Sequence, residues 1–203
     1  GIHLAVVTRH KQFRSQIRIV EVEGFSVKAA LKHNPHLGVK AATFHTTDPN
    51  LFFTCGEGNA RVWQLKGAKL TGRSITFGDA SALNSFIALA VSHDGKQLAV
   101  GCNSGIVFVV GVESGSALRK VSLFTAPVTS LCAAEGVCIA GSAAGELRAV
   151  DEGAGDEGRI WNVSAALRAC FALREKFLCA TEKGELFAVS RKDSTTRCLF
   201  RAL

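Results

Sequence analysis

Four times along this chain, an apolar strand runs into a turn of small residues and a second apolar strand follows at once. The copies are Leu51-Phe52-Phe53-Thr54-Cys55-Gly56 into Ala60-Arg61-Val62-Trp63, and Gln97-Leu98-Ala99-Val100-Gly101 into Gly105-Ile106-Val107-Phe108. Next come Val137-Cys138-Ile139-Ala140-Gly141 into Gly145-Glu146-Leu147-Arg148, and Phe177-Leu178-Cys179-Ala180 into Gly184-Glu185-Leu186-Phe187. Taking residues 60, 105, 145 and 184 as equivalent gives steps of 45, 40 and 39 residues. A repeat of about 40 residues with several strands per unit is how propeller blades read in sequence.

Each unit opens with one more strand. These are Val39–His45, Phe86–Val91, Val128–Cys132 and Ala166–Phe171. Turn chemistry follows each. Asp48-Pro49-Asn50 bonds its own backbone and presets φ, and Asp94-Gly95 is a hairpin signal. Outer strands are legible at Ala117–Val121 and Thr196–Phe200. Residues 2–7 and 16–22 read as the inner parts of an earlier blade, with Gln16–Val22 alternating polar and apolar. Gly-rich Asp151–Gly158 reads as an inter-blade loop.

The expectation is an all-β chain: a β-propeller of about five degenerate four-stranded blades, near residues 1–35, 36–80, 81–125, 126–160 and 161–203. Closed rings hold roughly 4–8 blades, and the chain has no Met, even at position 1. Part of a larger propeller, from a longer chain, is therefore expected.

No run of about 18 apolar residues occurs, so no membrane helix is expected. The seven Cys lack any CxxC pair and mostly sit inside apolar strand runs. They read as core residues of a protein in a reducing compartment, cytosol or nucleus.

No catalytic motif survives. Gly141-Ser142-Ala143-Ala144-Gly145 puts Ser one place early for a nucleophile elbow. Gly56-Glu57-Gly58 leads into a strand, where a dinucleotide site needs a helix. His33 and His36 have no nearby Cys or carboxylate to complete a metal site. The expectation is a non-enzyme with no catalytic residues, no cofactor and no metal.

The formal net charge is +7. Residues 1–40 carry seven basic side chains against two acidic, and residues 168–201 carry eight against four. Such a chain is drawn to anionic partners. Candidate contacts are Arg9, Lys11 and Arg14 in one cluster and Lys66, Lys69 and Arg73 in another. Nucleic acid is the second choice as partner, because few aromatics accompany the basic residues and Tyr is absent.

One copy of the repeat carries more. Phe44-His45-Thr46-Thr47-Asp48-Pro49-Asn50, then Thr54-Cys55-Gly56 and Trp63, resembles the WD-repeat proteins of the echinoderm microtubule-associated protein-like family. Residues 2–22 resemble the preceding blade, and Gly72–Gly78 stands where that family has a basic link ending in Phe-Gly. The specific part covers about residues 1–80. Thr46 replaces the family's Pro, and no strand ends in Trp-Asp. The Gly-His pairs of regular blades are missing too, so the usual Asp-His-Ser-Trp hydrogen-bond network is not expected to assemble. The resemblance implies a scaffold of the cytoplasm and cytoskeleton, extending to the cilium or flagellum axoneme. Its implied partners are tubulin, microtubules or other cytoskeletal proteins, within a larger assembly and away from membrane. The alternative is a WD-repeat subunit of a ribonucleoprotein or ribosome-assembly complex.

Overall fold

The structure is a computed structural model. It describes residues 3–9, 15–32, 38–78, 84–134, 137–151, 160–163, 165–173, 175–190 and 195–201. Its strands form five antiparallel meanders. The first holds β1 (His3–Arg9), β2 (Ser15–Glu21) and β3 (Ser26–Lys32). The second holds β4 (Val39–Phe44), β5 (Leu51–Gly56), β6 (Asn59–Lys66) and β7 (Lys69–Ser74). The third holds β8 (Phe86–Val91), β9 (Gln97–Cys102), β10 (Ile106–Gly111) and β11 (Ala117–Ser122). The fourth holds β12 (Val128–Ala134), β13 (Val137–Ser142), β14 (Glu146–Asp151) and β15 (Ile160–Asn162). The fifth holds β16 (Leu167–Ala172), β17 (Lys176–Thr181), β18 (Glu185–Ser190) and β19 (Thr196–Arg201).

The opening strands β4, β8, β12 and β16 pack side by side along the inner edge. Each middle strand then feeds two cores, because successive side chains leave a strand on opposite faces. On β5, Phe52 joins Ile17, Ile19, Trp63 and Leu65 between the first and second sheets. Its neighbour Phe53 joins Val62, Phe77, Phe86 and Phe108 between the second and third. On β10, Phe108 and Val110 face back into that core, whereas Val107 and Val109 face forward to Phe124, Val128 and Leu131. Ile139, Leu147, Trp161, Leu167 and Phe177 fill the last joint. A strand buried on both faces explains the continuous apolar runs of the sequence. Outermost β19, by contrast, is exposed along its whole length.

The turn between the second and third strands repeats. Gly105, Gly145 and Gly184 have φ of 79°, 84° and 74°, in the left-handed region that glycine enters without steric cost. Each donates its N–H to the carbonyl three residues back, at 3.2 Å, on Cys102, Ser142 and Thr181. The first copy differs. Gly56 pairs with Asn59, so only Glu57 and Gly58 make the turn. Ala60 pairs with Cys55, as Val107 pairs with Gly101, Leu147 with Gly141 and Leu186 with Ala180. The structural equivalent of Ala60 is therefore Val107, not Gly105. The repeat alignment is off by two positions at this copy: one because Gly56 matches Cys102 and not Gly101, and one because the turn is a residue shorter.

The first sheet also differs from expectation. It has three described strands, and β3 packs on β7, the outermost strand of the second sheet. β1 packs on β4 as β5 packs on β8. β1 and β2 thus hold the second and third strand positions, and β3 the fourth. Six Cys are buried as expected, but Cys198 is exposed, because it lies on β19.

Candidate functional site

Two of the segments that carry the family resemblance, the His45 turn and the Gly72–Gly78 link, meet the third sheet at its joint with the second. The β4–β5 turn comes first. His45 donates from Nε2 to the Gly95 carbonyl at 2.8 Å, and its Nδ1 accepts from the backbone N–H groups of Asp48 at 3.0 Å and Thr47 at 3.3 Å. Two donors aimed at Nδ1 leave the proton on Nε2. Asp48 accepts from the Asn50 N–H at 2.9 Å, which closes the turn. Thr46 donates its hydroxyl to the Ser92 carbonyl at 3.3 Å. The phrase is therefore a latch across two sheets.

The receiving turn is braced internally. Ser92 donates its hydroxyl to Asp94 at 2.6 Å, and the Lys96 N–H donates to the same oxygen at 3.0 Å. The Ser92 hydroxyl, followed by that N–H, holds the Asp94 carboxyl below its ordinary value. Gly95 has φ of +74° and lies so close to the His45 ring that a Cβ there would overlap it.

The Thr-Cys-Gly segment serves the opposite face of the second sheet as well, where Trp63 lies in the core shared with the first sheet. Trp63 donates Nε1–H to the Thr54 hydroxyl at 2.8 Å, with both side chains almost fully buried. This corrects one expectation. The Trp-to-hydroxyl half of the WD-type network does form, because β5 and β6 bring Thr54 and Trp63 onto one face. Gly72 lies against the Trp63 ring, where a Cβ would collide. Arg73 then reaches the third sheet. Its guanidinium donates to the carbonyls of Val112 at 2.7 Å, Glu113 at 2.8 Å and Ser114 at 3.2 Å. The link ends with Phe77, stacked on Phe86 at 4.4 Å and edge-on to Phe108 at 5.1 Å.

The candidate basic contacts fare unequally. Lys66 and Lys69 face each other across the β6–β7 turn and are both exposed. Arg73 is engaged by the carbonyl clamp. Arg9 ends β1, and its side chain lies outside the described residues, as do Lys11 and Arg14. His33 and His36 lie outside them too.

Sequence reasoning missed a cleft of about 460 Å³ along the inner strands. Thr43, Leu89, Val91, Leu131, Cys132, Cys170, Phe171 and Leu173 are among its walls. These residues come from four separate sheets, and no motif joins them.

Five antiparallel sheets, four of them joined along a shared inner edge, make this chain an arc of a β-propeller. Solved structures agree. It superposes on the Cps50 (Swd1) β-propeller domain of Myceliophteria thermophila with TM-score 0.77 and 11% identity, over 96% of this chain and 69% of that one. The structure of U3-55K gives 0.72 and 15% identity, over 83% and 53%. The RRP9 WD40 repeats give 0.69 and 15%, over 83% and 52%. At such identities the likeness concerns the fold alone, and that fold is the WD-repeat propeller. No family model matches the chain. In sequence it is similar to echinoderm microtubule-associated protein-like 2 of Rattus norvegicus, 30% identical over 96 residues. The same protein of Homo sapiens is 28% identical over 85 residues. The rat match takes in 47% of this chain and spans 15% of the relative's length.

Proposed function

We propose that this chain belongs to a non-enzymatic WD-repeat scaffold of the cytoplasm and cytoskeleton that binds microtubules or other cytoskeletal proteins. The observation that carries the reading is the sequence similarity to echinoderm microtubule-associated protein-like 2 over nearly half of the chain. Two further features support it. The propeller arc is latched sheet to sheet by His45 and Arg73, which suits a rigid platform. The charge of +7 suits an acidic partner surface such as that of a microtubule, with binding that weakens as salt screens it. This reading assigns contact to Lys66 and Lys69, which are exposed side by side at the β6–β7 turn. The likeness to U3-55K and RRP9, at 15% identity, does not favour a ribonucleoprotein.

Co-sedimentation with polymerised tubulin tests the proposal. Retention at low salt that falls steeply at high salt is expected, and Lys66→Glu with Lys69→Glu lowers it. No retention at low salt overturns the reading. Retention on RNA with a steep salt slope, and none on tubulin, replaces it with the ribonucleoprotein alternative.

A further inference from the structure

The inner strands β12 and β16 pack side by side at the joint between the fourth and fifth sheets. Each brings one cysteine to the same spot. Cys132 and Cys170 belong to one buried cluster, and both line the cleft along the inner edge. Cys55, Cys102, Cys138 and Cys179 are buried too but line no part of it. A molecule the size of hydrogen peroxide that enters the cleft therefore meets this pair alone among the buried thiols.

We propose that Cys132 and Cys170 are a peroxide-responsive thiol pair whose disulfide staples the fourth sheet to the fifth. The roles of the two sulfurs differ. The Cys170 sulfur feels the Cys132 thiol first and the nearby Ser130 hydroxyl second. Both favour the charged sulfur, which holds the Cys170 thiol below its ordinary value. Cys132, beside that sulfur, is pushed up and keeps its proton. Cys170 is thus the attacking group and Cys132 the resolving one.

The chemistry balances in two steps. The Cys170 thiolate attacks one peroxide oxygen and the O–O bond breaks. A sulfenic acid forms on Cys170, and the departing hydroxide takes a proton to become water. The Cys132 sulfur then attacks the Cys170 sulfur. The S–O bond breaks, and the hydroxyl leaves as water with the Cys132 proton. Two thiols are oxidised, one peroxide is reduced and two waters are released.

The test uses the full-length protein carrying Cys198→Ser, which removes the exposed thiol. After peroxide treatment, alkylation and digestion, mass spectrometry is expected to find a cross-linked peptide joining residues 132 and 170. A rise in melting temperature that dithiothreitol reverses accompanies it. In Cys132→Ser the second step is blocked, so Cys170 sulfenic acid persists and is trapped by dimedone. The wild-type protein supplies a control that depends on no substitution. If peroxide oxidises its Cys198 while Cys132 and Cys170 stay alkylatable, the proposal is wrong. A link from Cys170 to Cys179, its cross-strand neighbour on β17, in place of Cys132 also overturns it.

Discussion

Gly95→Ala and His45→Ala, made singly and together, test whether the His45 ring latches the second sheet to the third. Gly95 sits at φ +74°, where an L side chain costs about 1–2 kcal/mol. Its added Cβ also overlaps the His45 ring, and overpacking of that kind costs roughly 1–3 kcal/mol. The single variant should therefore lose about 3 kcal/mol. His45→Ala removes the bond to the Gly95 carbonyl and frees the Thr47 and Asp48 N–H groups. At about 1 kcal/mol for each side of the ring, the loss is about 2 kcal/mol. Without the ring, the methyl added at position 95 has nothing to strike, and only the backbone cost remains. The double variant should then lose about 3 kcal/mol where simple addition gives about 5, a coupling of about 2 kcal/mol. Urea titration followed by fluorescence of Trp63 and Trp161 measures each value. For a chain of this size, 2 kcal/mol lowers the melting temperature by roughly 4–8 °C, so thermal scans give a second reading. Costs that add to within about 0.5 kcal/mol would refute the latch.

Thr54→Val should cost about 1 kcal/mol through the Trp63 bond. It should be close to neutral in a Trp63→Phe background, and an equal loss in both would show that the bond contributes nothing. The Asp94 carboxyl is held below its ordinary value of 3.8 in the folded state. Its contribution to stability is present above about pH 4 and is lost as pH falls through the folded value. Asp94→Asn should flatten acid unfolding in that window, and an unchanged curve argues against it. Burial pushes the thiols of Cys55, Cys102 and Cys179 up to about 12. Iodoacetamide at neutral pH should label exposed Cys198 first and these three only after unfolding, as peptide mapping would show.

Much of the two joints around the second sheet was visible as words but not as contacts. The phrase around His45, the pair Thr54 and Trp63, and the Gly72–Gly78 link all stood out in sequence. Their meaning did not, because the His45 phrase and the link each act on residues far along the chain. His45 reaches Gly95, Arg73 reaches Val112, and Phe77 meets Phe108. Arg73 illustrates the difficulty. As a charge in a basic run it read as a contact for an anionic partner. In the fold its guanidinium meets three carbonyls, which only the packing of two sheets brings together. The cleft holding Cys132 and Cys170 is harder still to read, since its walls come from four sheets and its residues look like ordinary core.

What the sequence alone determined is whatever hydrogen bonding and sterics decide within one hairpin. Glycines at 105, 145 and 184 announce left-handed turns, and unbroken apolar runs announce strands buried on both faces. The repeat of these hairpins set the strands, their order and the propeller class. Tertiary structure alone decided which strand faces meet between sheets. It also decided the strand positions held by the first sheet, the latches between sheets and the cleft. Those features depend on sheet-to-sheet distances, and local turn chemistry does not encode such distances.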